Sequence, residues 1–103
     1  MIGSFSPDEV FGFKTPDDSM IEKHISEGDI VLLERRSYAR RGDIVVAMAD
    51  NGHMLLGQFF HIGTEIEIRP SNTQYEAAVF QADSIVVMGI MRGLLRPIAA
   101  RDH

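Results

Sequence analysis

No cysteine occurs in the 103 residues, so neither a disulfide framework nor a thiolate metal site can be built. This fits a reducing compartment. Tryptophan is absent too. No apolar run approaches the roughly 18 residues that a membrane-spanning helix needs. The N-terminus lacks the charged stretch and apolar core of a signal peptide, so a cytoplasmic protein is expected. Lysine is scarce: Lys14 and Lys23 are the only two. The formal net charge is -5. Phosphate neutralisation dominates affinity for nucleic acid, so this segment is not expected to bind DNA by itself.

Hydrophobic residues make up 45% of the chain, enough for the modest core of one domain. So small a domain buries a limited fraction of its surface, and a second copy would help to stabilise it. The pattern is mostly that of strands. Val10, Phe11 and Phe13 form a short run before Pro16. Ile30 to Leu33 follows Gly28-Asp29, and Ile44 to Ala49 follows Gly42-Asp43. The turn Asp50-Asn51-Gly52 joins that run to Met54–Phe60 as a hairpin. Thr64 to Arg69 alternates, with Ile66 and Ile68 on one face. Residues 71 to 78 read as an irregular loop, Val79-Phe80 as a very short strand, and Ile85 to Leu95 as the last long run. One stretch reads as a helix of two turns at most. Ser19 precedes Met20, Ile21 and Ile25, and Glu22 stands three residues later, the pattern of a capping box. Residues 1–8 and 98–103 carry little pattern and read as mobile ends. The whole reads as one all-β domain over 1–103, with its core at about 10–97.

The polar residues have plain structural readings. Ser19 can be a helix cap, and Asp17-Asp18 can favour the helix dipole. The pairs Arg35-Arg36 and Arg40-Arg41 read as a solvated connection between strands. His24, His53, His61 and His103 show no ligand spacing, so no metal or other cofactor is expected. Met88 and Met91 read as core or interface residues.

Four patterns occur in a fixed order: Pro16-Asp17-Asp18-Ser19-Met20 with Ile25 and Gly28-Asp29-Ile30-Val31; Arg41-Gly42-Asp43-Ile44-Val45-Val46-Ala47; Ile68-Arg69-Pro70-Ser71-Asn72 with Tyr75; and Val87-Met88-Gly89-Ile90-Met91-Arg92-Gly93. Together they resemble the self-cleaving C-terminal domain shared by LexA, UmuD and the lambdoid phage repressors, from Val10 to Pro97. The resemblance implies a small, partly open β-barrel of about seven strands, of the LexA and signal-peptidase type, with one short helix. It also implies a serine–lysine dyad, in which a serine at the helix start attacks a carbonyl of its own chain and a neutral lysine takes the proton. The serine position falls on Ser19, where free N–H groups of the helix start would stabilise an oxyanion. The lysine position falls on Gly57, or on Gln58 if the hairpin is one residue shorter. Neither is a base, so self-cleavage is not expected. The scissile bond of the family lies upstream of the serine, usually before a glycine; here Ile2-Gly3 is a candidate in name only, and the substrate segment is expected to be missing.

The resemblance implies a homodimer, DNA contact only through a separate N-terminal domain, and regulation by a RecA filament or an antirepressor protein. The interface is expected on the last strand region, at Ile85, Val87, Met88, Ile90, Met91 and Leu94, which lacks the polar alternation that protects an edge. The leading reading is the dimerisation and regulatory domain of a prophage-type or SOS-type repressor. The alternatives are an active autopeptidase, a UmuD-like accessory protein of a translesion polymerase, and a type I signal peptidase. The last is disfavoured because the lysine and the membrane anchor are both missing.

Overall fold

A computed structural model of the chain describes residues 9–97. The two expected mobile ends, and with them Ile2-Gly3, lie outside the described residues. Seven strands form: β1 (Val10–Lys14), β2 (Ile30–Arg35), β3 (Ile44–Ala49), β4 (Met54–Ile62), β5 (Glu65–Arg69), β6 (Ala78–Gln81) and β7 (Ile85–Leu95). All pair antiparallel in a single sheet of order β1-β2-β7-β3-β4-β5-β6. The expected all-β fold of seven strands is what forms. The sheet is not closed into a barrel, and β1 and β6 are its two edges.

The two Gly-Asp turns start β2 and β3 for a backbone reason. Gly28 and Gly42 sit at φ +91° and +88°, a region that side chains disfavour, although a Cβ at either would meet nothing within 4 Å. Each aspartate then ties its turn: Asp29 Oδ2 accepts from Ser26 N at 2.8 Å, and Asp43 Oδ2 from Arg40 N at 2.9 Å.

The last apolar run is not an edge. β7 lies between β2 and β3 and is paired on both sides. Its two faces feed both core clusters, Ile85, Val87 and Ile90 one and Met88, Met91 and Leu94 the other, which explains its lack of polar alternation. Register shifts at Leu32/Leu33 against β2 and at Val46/Ala47 against β3 bend the sheet around it. Adjacent residues feed different clusters, as strand alternation requires. Val45, Ala47, Phe59, Ile66, Ile68, Ile85, Val87 and Ile90 form one, and Met20, Ile25, Val31, Leu33 and Val46 the other. Of the six expected interface residues, Ile85, Val87 and Ile90 are therefore core of the protomer, while Met88, Met91 and Leu94 are half-buried against the second cluster.

The expected short helix is only a 3₁₀ turn, Ile21–Lys23, ended by His24 at φ 65°. Its N-cap is Met20, not Ser19, and no side chain caps it. Glu22 does not reach back to Ser19, because its Oε2 accepts from Thr73 N at 3.2 Å. A partner 51 residues away has replaced the local one that a capping box needs.

Candidate active-site cleft around Ser19

Ser19 stands on the turn that follows β1. Its N–H donates to Asp17 Oδ1 at 2.9 Å, an Asx turn that sets the backbone just before the serine. Its carbonyl accepts from Ser71 N at 2.8 Å, and Glu22 N donates to Ser71 O at 2.8 Å. Asn72 Nδ2 donates to Asp18 O at 2.9 Å, and Tyr75 Oη to Asp18 Oδ1 at 2.8 Å. Met20 and Ile25, both fully buried, pin the turn to the second core cluster from below. The segment 71–75 is thus no idle loop but the cradle of the serine turn. Sequence reading had the signal, since Pro70-Ser71-Asn72 with Tyr75 is one of the four patterns, but gave it no role.

A cleft of about 300 Å³ opens beside Ser19, lined among others by Phe13, Pro16, Met54, Leu56, Ile68 and Pro70. It is mostly greasy, with Asp17, His53, Tyr75 and Glu76 as its polar lining besides the serine. Among the described residues the Ser19 hydroxyl makes no hydrogen bond to any of them. Neither Lys14 nor Lys23 lines the cleft. Tyr75 is a poor base, because its hydrogen bond to Asp18 and the carboxylates nearby hold its hydroxyl proton above the usual phenol range.

Gly57 is buried in β4, opposite Val45 of β3. A Cβ there would lie 2.7 Å from Ile68 Cγ2 and 2.9 Å from the Arg69 carbonyl oxygen, closer than real side chains come. The room for a side chain at the expected lysine position is closed. Gln58 is committed elsewhere, its Nε2 donating to Gly42 O at 3.1 Å. Most N–H groups around the serine are engaged. The N–H groups of Ser19, Ile21, Glu22 and Lys23 are already donated, to Asp17 Oδ1, Asp18 O, Ser71 O and Met20 O. A helix start would have left several of these free; here, among the described residues, the Met20 N–H is the one beside Ser19 that donates to no acceptor.

The far side of the turn is anchored by charge. Asp29, 2% exposed, receives Arg96 Nε at 3.0 Å and Nη2 at 2.7 Å, while Nη2 also donates to His24 O at 2.8 Å. The bidentate guanidinium and the Ser26 N–H hold the Asp29 carboxyl below its ordinary range. One arginine after β7 thereby ties together the start of β2 and the end of the serine turn.

Fold and cleft together define a peptidase-like β domain: a serine on a strapped turn over an antiparallel sheet, with no base in bonding contact among the described residues. Residues 2–92 match the family described as Peptidase S24-like, and the chain belongs to it, in the branch that includes LexA and UmuD. It is 40% identical to the LexA repressor of Thermotoga petrophila over 88 residues, covering 85% of this chain and 44% of that protein. It is 41% identical to the LexA repressor of Thermotoga neapolitana over 98 residues, 93% of this chain and 49% of that one. The LexA repressor of Syntrophobacter fumaroxidans is 41% identical over 92 residues, 89% and 44% of the two chains. The chain spans less than half the length of these relatives. Among the described residues no helix is long and apolar enough to cross a membrane.

Proposed function

We propose that this chain is the dimerising and regulatory domain of a LexA-like repressor, and that it does not cleave itself. The observation that carries the second half is Gly57. The position that would hold the dyad lysine has no side chain, and Ile68 and the Arg69 carbonyl fill the space beside it. Four N–H groups of the serine turn are engaged, so among the described residues the Met20 N–H is left as the single free donor there for a developing oxyanion. Losing the base costs about 10² to 10⁴-fold in rate, and up to about 10⁶-fold where nucleophile and base act as one unit. A two-fold dimer is what a repressor with one DNA-binding head per chain requires on a palindromic operator. In this reading DNA is contacted through a separate N-terminal domain, and release is prompted by an antirepressor protein or a RecA filament.

The test is incubation at about pH 10, where roughly a quarter of a lysine of ordinary pKa is neutral, with and without a peptide carrying an alanine–glycine bond. A Ser19→Ala variant runs in parallel, and fragments are followed by mass spectrometry. No serine-dependent fragment is expected.

One observation favours a second reading: His53 lines the same cleft as Ser19. If serine-dependent fragments appear and His53→Gln abolishes them, the chain is an active peptidase with a histidine base, and the regulatory reading without cleavage is wrong.

A further inference from the structure

Four of the ten basic residues of this acidic chain, Arg35, Arg36, Arg40 and Arg41, stand on or beside the connection from β2 to β3. The fold adds a fifth from far away in sequence. Arg92 of β7 reaches Glu34 Oε1 with its Nε at 2.9 Å, while Arg36 Nη2 donates to the other oxygen, Oε2, at 3.1 Å. One half-buried carboxylate thus holds two guanidiniums side by side. Each guanidinium has five N–H donors, so each keeps most of them free. They border a cleft of about 220 Å³ together with Tyr38, Arg40 and Asp43. Its walls are fixed: Asp43 is bound to the Arg40 N–H, and Gly42 N donates to Phe59 O at 2.7 Å. The Arg40 guanidinium has no ion-pair partner among the described residues. Arg35 and Arg41 lie outside the lining, over Phe11 and Phe60 at 4.7 and 5.0 Å from the ring centres, and add to the positive charge of the β2–β3 connection. Three guanidiniums, those of Arg36, Arg40 and Arg92, border the cleft; Glu34 already holds two of them, and Asp43 in the lining is bound to the Arg40 N–H.

We propose that this arginine cleft is a docking site for an acidic protein segment, a run of aspartate or glutamate side chains presented by a partner. The guanidinium fork matches a carboxylate with two parallel hydrogen bonds, and the two forks held by Glu34 are oriented before any partner arrives. Tyr38, 66% exposed at the rim, offers a flat apolar surface beside them. Charge decides against nucleic acid as the occupant. The field of the patch reaches about 8 Å at physiological salt. A short acidic segment stays within that range, whereas a duplex extends over the remainder of a chain whose net charge is -5. The site lies on the β2–β3 connection and β7, apart from the Ser19 cleft, and binding there requires neither dimerisation nor cleavage.

The experiment measures fluorescence anisotropy of labelled octaglutamate, and separately of a short random DNA duplex, on the intact chain between about 50 and 200 mM salt. The peptide is expected to bind, more weakly as salt rises. Arg40→Glu combined with Arg41→Glu weakens it by about tenfold or more. Arg92→Gln, on a different strand, also weakens it and carries the test if the double variant does not fold. Lys14→Glu combined with Lys23→Glu changes the net charge equally but lies off the cleft, and leaves peptide affinity within about twofold. The proposal is overturned if the peptide does not bind at low salt, if both double variants lose affinity alike, or if the duplex binds more tightly than the peptide.

Discussion

At Gly57 the neighbouring strand β5 comes closer to β4 than any side chain would allow. Ile68 Cγ2 and the Arg69 carbonyl occupy the volume of a missing Cβ, so the main chain itself is fitted to glycine. Two consequences follow for substitution. Gly57→Ala forces Ile68 aside or parts the two strands, and overpacking of this kind costs about 1–3 kcal/mol. Gly57→Lys is expected to cost at least as much and still not restore cleavage, since a working base must be neutral and hence buried in a fitted pocket. Urea melts of both variants read the stability, and the fragment assay reads the chemistry. A Gly57→Lys protein that is as stable as the parent and cleaves itself would show that the site is open after all. The sequence announces the absence of the lysine plainly. It does not announce the closure, which depends on how near β5 approaches.

Turn chemistry decided which elements were legible. β3 and β7 have the bounds that their apolar runs suggest, because Gly42-Asp43 starts one and Pro97 follows the other. The serine turn was misread as a helix because its capping box is a local pattern. Its real partners, Ser71, Asn72, Thr73 and Tyr75, are about fifty residues away. The place of β7 between β2 and β3 was hidden for the same reason: no local signal states which strands pair. Long-range ties also set the acid response. Arg96 holds the Asp29 carboxyl below its unfolded value of 3.8, so ionised Asp29 favours the folded state. That contribution is fully present above about pH 3.8 and is lost as the pH falls through the lower, folded-state value. Asp29→Asn should therefore melt below the parent at neutral pH, and the difference should shrink as the pH drops below 3.8. Thermal melts across that range check it, and a difference independent of pH would assign the loss to packing rather than charge.

For the whole molecule the open question is what a second copy would cover. The sheet is open, with edges at β1 and β6, so pairing through β7 as an edge is closed by β2 and β3. A dimer must use a face or an outer edge. The second core cluster is small, and half-buried apolar side chains surround it: Phe11, Phe13, Ile44, Met54, Leu56, Met88, Met91 and Leu94. Half-buried residues in that number on one cluster still have apolar surface to lose, unlike Ile85, Val87 and Ile90, which have almost none. If the dimer forms, Met88, Met91 and Leu94 are where the last strand contributes to it. Sedimentation at rising concentration should show a dimer, and Met91→Lys should shift the equilibrium toward monomer while leaving the strand content of the circular dichroism spectrum unchanged. Ile90→Ala should behave differently. It removes a core side chain, so it costs about 2–5 kcal/mol of protomer stability whatever the association state. A chain that remains strictly monomeric at roughly 100 µM would refute the dimer. An unaltered dimer in Met91→Lys would move the interface off this face, to one of the outer edges.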